Sequence, residues 1–283
     1  MAVGFSASNS FADFTLFDNF DGYAPGAYLA GQGPAGNLWT MTPMNGASPT
    51  GMVTRADSGG LATFVGPTGA SAAYRGLGPA GLTIGNSSTA TTVFWQFRIN
   101  QSAVNNNWNF VLTDVNPSDT AGSSEVQFNF DSTAANTGGL TTFRARNGAN
   151  FKFLSTSGAA VGDVPVVPDS LYSVWLVVNN SADNYSIYLQ NDSIGALSGS
   201  AHQVFADDGS GGVFTFRNGA AANDLINVNF GSGSGQYGQT VFDNIYIDPS
   251  GQNLSVAVPE PTSLSLVGLG AAAALFVSRR RVA

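Results

Sequence analysis

Residues 91–100 read TTVFWQFRIN. Val93, Trp95, Phe97 and Ile99 fall on one face of an extended chain, with Thr92, Gln96 and Arg98 on the other and Phe94 as the exception. Successive side chains of a strand point to opposite sides, so alternation at period two with one apolar face marks a half-buried antiparallel strand. The same alternation recurs. Val126, Phe128 and Phe130 interleave with Gln127, Asn129 and Asp131; Tyr185, Ile187 and Leu189 with Ser186, Tyr188 and Gln190; Ile226, Val228 and Phe230 with Asn227 and Asn229.

Further strands are expected near residues 17–23, 52–58, 61–66, 72–77, 108–115, 141–154, 172–179, 203–206, 213–218 and 240–248. Turn-forming clusters separate them: residues 57–60 (DSGG), 105–107 (NNN), 137–139 (TGG), 180–184 (NSADN) and 209–212 (GSGG). Asn147-Gly148 between FRAR and FKFL predicts a hairpin with a type I′ turn. About 12–14 strands with no helical interruption imply two stacked antiparallel sheets, hence an all-β sandwich. No long linker breaks the body and no repeat of fixed period runs through it. The expected layout is therefore an arm over residues 1–12, one sandwich over 13–250, a short linker over 251–258 and a tail over 259–283.

The body opens on Phe17-Asp18-Asn19-Phe20-Asp21 and closes on Val241-Phe242-Asp243-Asn244-Ile245-Tyr246-Ile247-Asp248. In this pattern and in size it resembles the concanavalin A-like, laminin-G-like jelly rolls of bacterial surface proteins. The resemblance implies that the first and last strands lie side by side. That would bring Asp18 and Asp21 close to Asp243, an oxygen-rich set suited to a structural calcium. It does not imply one activity, because the fold serves lectins, glycosidases, lyases and adhesion modules alike.

Composition narrows the field. The chain has 283 residues, no cysteine, one histidine and a formal net charge of −8. Disulfides, thiol chemistry and cysteine-ligated metals are excluded. An acidic body repels phosphate backbones, so nucleic acid is not an expected partner. With 11% aromatic and 43% apolar residues the body is not expected to be disordered.

Catalytic signatures are sparse. Glu125 is the only glutamate before the tail, whereas a glycosidase needs two carboxylates flanking the scissile bond. His202 has no nucleophile-elbow sequence near it. A lyase could draw on Arg144, Arg146 and Tyr188, which lie on strand patterns. Carbohydrate binding would use a flat aromatic with amides beside it. Trp108, following Asn106 and Asn107, fits that mixture best, while Trp95 and Trp175 read as core.

The chain ends in Val258-Pro259-Glu260-Pro261, an uncharged run over 264–277, and Arg279-Arg280-Arg281. The prolines stop any preceding helix. About 14 apolar residues would span about 21 Å as a helix, short of a hydrocarbon core of about 30 Å. The arginines would hold the cytoplasmic side, with the body outside. This three-part tail resembles the PEP-CTERM sorting signal of Gram-negative bacteria, with Pro259, Glu260 and Pro261 as the motif and Arg279, Arg280 and Arg281 as the basic end. The resemblance implies export, a precursor anchored in the inner membrane, and an exosortase-like membrane transpeptidase as partner. Delivery to the cell surface, outer membrane or extracellular matrix would follow.

Export needs a leader, and MAVGFSASNSFA at residues 1–12 lacks a basic start. Ser10-Phe11-Ala12 resembles a cleavage site, so the leader is expected to begin upstream of Met1. The resulting expectation is a non-catalytic surface protein that binds or organises exopolysaccharide. A carbohydrate-active enzyme and a ligand-free envelope protein are the alternatives.

Overall fold

The computed structural model describes residues 14–24, 27–43, 52–54, 62–65, 71–99, 107–115, 124–131, 142–158, 164–218, 223–232 and 239–255. The arm at 1–12 and the sorting tail, with its segment 264–277, lie outside them. Among the described residues no helix is long and apolar enough to cross a membrane.

Among the described residues sixteen strands form, in chain order. They are β1 (Thr15–Asp18), β2 (Thr40–Pro43), β3 (Met52–Thr54), β4 (Ala62–Val65), β5 (Ser71–Gly76), β6 (Thr91–Ile99), β7 (Asn107–Thr113), β8 (Ser124–Asp131), β9 (Thr142–Asn147), β10 (Asn150–Ser155), β11 (Leu171–Asn179), β12 (Asn184–Gln190), β13 (His202–Ala206), β14 (Val213–Thr215), β15 (Asn227–Ser232) and β16 (Gln239–Asp248). All pairings between them are antiparallel.

One layer runs β2-β5-β15-β7-β8-β9-β10, the front sheet. The other runs β3-β4-β16-β6-β11-β12-β13, the back sheet, with β1 added on β16 and β14 on β12. A short β10–β13 pairing joins the two layers along one side. The first and last strands are neighbours, as the resemblance implied: Leu16 lies opposite Tyr246 and Thr15 opposite Ile247.

The apolar faces read from alternation meet between the layers. Trp95 of β6 stacks flat on Phe110 of β7, with ring centroids 3.9 Å apart and planes 4° from parallel. Phe97 meets Trp108 edge-on and Phe128 at an angle. Phe242 of β16 packs on Trp108 and Phe230 of the front sheet. Burying aromatic rings of 150–250 Å² each dominates a core of this kind, and offset or edge-on pairs add to the area term. Tyr185 of β12 pins the layers across this core, its hydroxyl donating to the Arg146 carbonyl at 2.5 Å.

Phe94, the exception in the alternation, faces the other side of the back sheet. There it meets Phe14, Trp175 and Tyr246. Trp175 is thus buried, as expected, but outside the central core cluster.

Three local expectations need correction. The first strand was placed at 17–23 but is Thr15–Asp18, because the Asp18 carboxylate accepts the Phe20 amide and turns the chain. The β9–β10 hairpin forms with Asn147 opposite Asn150, so its loop is Gly148-Ala149. Only Gly148 takes a positive φ there (+61°), the pattern of a II′ turn and not the I′ turn expected. Asn147 stays in its strand because its side chain is engaged: Oδ1 accepts the Thr215 amide and hydroxyl, and Nδ2 donates to Ser210.

The linker expected from 251 does not begin there. Asp248 accepts the Ser250 amide and hydroxyl and the Asn253 side-chain amide. Thr92 donates to the Gly251 carbonyl and accepts the Asn253 amide. Residues up to Leu254 therefore belong to the same compact unit as the sandwich.

Candidate functional site

The front sheet has two faces. Trp108, Phe110, Leu112, Val126, Phe128, Phe130, Phe143, Ala145, Val228 and Phe230 join the core. The residues between them face outward and form rows across β5, β15, β7, β8, β9 and β10. Registers align Tyr74, Asn229, Val111, Gln127, Arg146 and Phe151 in one row, and Ala72, Gly231, Asn109, Asn129, Arg144 and Phe153 in the next.

These side chains form one network. The Asn109 carbonyl oxygen accepts from Gln127 Nε2 at 2.5 Å and from Asn129 Nδ2 at 2.8 Å. Asn129 Oδ1 accepts two N–H groups of Arg144, at 2.9 and 2.7 Å. Gln127 Oε1 accepts Arg146 Nε at 3.1 Å. Both guanidiniums lie on the Phe151 ring, at 4.5 and 4.0 Å from its centroid. The floor of this face is deeply buried, with Gln127, Asn129 and Arg144 at 7%, 1% and 7% exposure, while Tyr74, Asn109, Arg146 and Phe151 are half-buried at its rim.

Asn229, in the middle of β15, is fully buried, yet neither its amide nitrogen nor its carbonyl oxygen has a hydrogen-bond partner. Leaving such a group unsatisfied costs about 1–3 kcal/mol. A leucine or valine would fill the position at no such cost.

Electrostatics sharpen the picture at the β9 end. Burial, Arg217 and Arg144 together lower the pKa of Arg146 against Tyr185. Among the described residues the Arg146 side chain is held by Gln127, the Ala149 carbonyl and the Phe151 ring. The Glu125 carboxylate accepts the Asn218 amide and side chain at 3.2 and 2.7 Å.

The residues predicted from sequence fare differently. Trp108 is 1% exposed and enclosed by Phe97, Phe128, Phe130 and Phe242, so its ring cannot stack on a sugar. It occupies an inward position of β7, and alternation fixes that side. Asn107 opens β7 opposite Asp131; Asn106 lies outside the described residues. Pro259, Glu260, Pro261, Arg279, Arg280 and Arg281 also lie outside them. The outward polar rows were legible as the alternate residues of the same strands. Their alignment across six strands depends on registers that no local pattern encodes.

Asp18, Asp21 and Asp243 do come together. Burial raises the Asp243 pKa to about 7, and the charges of Asp21 and Asp18 push it the same way against the Asn244 amide. Asp18 is already engaged. Asp18 accepts from the Phe20 amide, the Tyr23 hydroxyl, Trp39 Nε1 and Arg75 Nη1, which use its acceptor positions. Among the described residues no three acidic or histidine side chains are grouped to hold a metal. The lyase grouping also fails to assemble. Tyr188 lies opposite Trp175 on the back sheet and accepts Gln252 there, while His202 contacts Ser198 and Ser200.

Residues 257–281 match the model of the PEP-CTERM protein-sorting motif. The chain thus carries a sorting signal of the exosortase system, which marks it for export toward the cell surface. No curated protein sequence matches the chain. The catalytic domain of the glycoside hydrolase family 131 protein from Coprinopsis cinerea is similar in structure, with a TM-score of 0.51 at 6% identity, over 87% of this chain and 98% of that one. Lectin II from Ulex europaeus gives a TM-score of 0.43 at 10% identity, over 75% and 97% of the two chains. At this level of identity the likeness is one of fold: an all-β, antiparallel jelly-roll sandwich.

Proposed function

We propose that this chain is an exported surface protein whose sandwich binds polysaccharide, without transforming it, on the outer face of the front sheet. The polar network of the outer face carries the reading. Asn109, Gln127, Asn129, Arg144 and Arg146 are fixed by one another, and Asn109 and Arg146 stand half-buried at the rim, where a ligand with hydroxyls can reach them. Rows of this kind suit an extended chain better than a single sugar, since β15 and β9 are three strand spacings apart, about 14 Å.

Localisation would follow from the tail. An exosortase would read Pro259-Glu260-Pro261 while the apolar segment and the arginines hold the precursor in the inner membrane. Release would place the sandwich in the exopolysaccharide of the surface or biofilm matrix. Replacing the three motif residues by alanine is expected to leave the full-length chain in the inner membrane; unchanged processing, read by intact mass of each cell fraction, would refute this.

Binding is tested by affinity electrophoresis of the full chain in gels containing purified exopolysaccharide. Retardation that Asn109→Leu abolishes supports the site. Retardation unaffected by that change, or none at all, overturns it. New reducing ends or unsaturated uronates in the same incubation would establish an enzyme instead.

A further inference from the structure

Ten lysines and arginines occur in the chain and three are in the tail, which leaves seven for a body that is strongly acidic. Three of those seven, Arg144, Arg146 and Arg217, crowd one end of the outer face of the front sheet, close enough that Arg217 and Arg144 both disfavour the charge on Arg146. Two other cations are paired with carboxylates: Arg75 with Asp18, and Lys152 with Asp208 at 2.6 Å. Among the described residues neither Arg146 nor Arg217 has a carboxylate partner. Arg146 Nη2 makes no hydrogen bond there. Arg217 donates from Nη1 to Ser124 and from its backbone to the Glu125 carbonyl. The Glu125 carboxylate accepts from Asn218.

A half-buried guanidinium held by neutral amides, with like charges beside it, is unfavourable unless an anion completes it. The geometry suits that role. Gln127, the Ala149 carbonyl and the Phe151 ring fix the Arg146 plane and leave one edge of its fork unused. Forked donation to two oxygens is what arginine does best.

We infer that the polysaccharide bound by this sheet is an acidic one, and that Arg146, with Arg217 beside it, receives an oxyanion carried on its sugars. This rests on the glycan-binding reading above and names the substrate class. The same chemistry could be a uronate carboxylate or a sulfate ester. Arg144 and Asn129 hold the floor, and Asn109, half-buried beside them, would contact neutral hydroxyls of the same chain.

The test is affinity electrophoresis and calorimetry of the full chain in mild detergent against three probes: a polyuronate, a sulfated glycan and neutral dextran. An acidic probe is expected to bind at least tenfold more tightly than dextran, with affinity falling as salt rises. Which acidic probe binds identifies the oxyanion. Arg146→Gln is expected to lower that affinity about 10–100-fold, the range of one charge-assisted contact, and Arg146→Lys to restore it only in part. Arg217→Gln, at a residue with few protein contacts, gives a second reading if Arg146→Gln does not fold. Lys152→Gln, which breaks the pair with Asp208, is the neutral control. Equal binding of dextran and both acidic probes would overturn the acidic assignment and leave the glycan-binding reading standing. Failure of all three probes, with native exopolysaccharide also unbound, would overturn both.

Discussion

Asp18 shows how much one carboxylate can fix. It sits at 5% exposure, ties the turn after β1 through the Phe20 amide, and faces Arg75 from β5 across the layers. Breaking a buried ion pair from one side leaves the other charge stranded, at a cost of about 3–5 kcal/mol. Asp18→Asn is expected to lose stability in that range in urea denaturation, with Arg75→Met milder because the Asp18 carboxylate it leaves keeps the Phe20 amide, the Tyr23 hydroxyl and Trp39 Nε1 as donors. Asp243 behaves in the opposite sense. Its folded pKa of about 7 lies above the unfolded value of 3.8, so the folded state binds the extra proton. Stability therefore falls as pH rises from about 4 to about 7 and levels off above. At about 1.4 kcal/mol per unit, the full effect of this one group is bounded at about 4 kcal/mol. Melting curves of Asp243→Asn should lose most of that slope; an unchanged slope would remove the residue from the account.

At the scale of elements, β12 and β16 are each flanked on one side by two short strands in succession. β16 pairs with β6 along one side; along the other it meets β4 through Gln239–Phe242 and β1 through Thr15 to Asp18. The register slips where the two meet, at Asp243–Asn244, and Asn244 takes a φ of +54°. Asparagine tolerates that left-handed conformation better than most residues, which accounts for its place in the motif. The β9–β10 hairpin depends on Gly148 in the same way. Gly148→Ala is expected to cost about 1–2 kcal/mol, measured by denaturation. Asn147→Ala is expected to cost about as much through its three lost hydrogen bonds to β14 and Ser210.

Much of this was legible in the chain. Alternation placed the long strands and their buried faces, and the opening and closing motifs predicted the β1–β16 contact. Alternation could not place β2, a four-residue strand whose TMTP has no distinguishing pattern. It also could not tell Trp108 the ligand-facing residue from Trp108 the core residue until its neighbours Phe110 and Leu112 were counted on the same side. Phe94 breaks the pattern because the back sheet is apolar on both sides there, where Phe94 meets Phe14, Trp175 and Tyr246. The front-sheet site escaped because its residues are unremarkable in sequence: asparagine, glutamine and arginine at the outward positions that a soluble strand would fill anyway.

At the scale of the molecule, the sandwich is one compact unit that runs to Leu254. A chain ending after Ser255 is expected to melt within about 2 °C of the full chain in the same detergent, since the last described contacts, those of Asp248, Thr92 and Asn253, are kept. A large drop would show that the tail contributes to the fold.

Those same contacts settle how the sandwich would carry load. A surface protein held by its C-terminal end, in flowing water or a shrinking gel, is pulled from Leu254. The pull does not reach a strand that can be unzipped from the rim, one bond at a time. It meets the Thr92 and Asp248 clasps first, and behind them β16, bonded along both sides and ten residues long. Such a strand can leave only by sliding past its neighbours, so its bonds on both flanks must rupture nearly together. The sandwich is built to be tugged from the end at which it would be tethered.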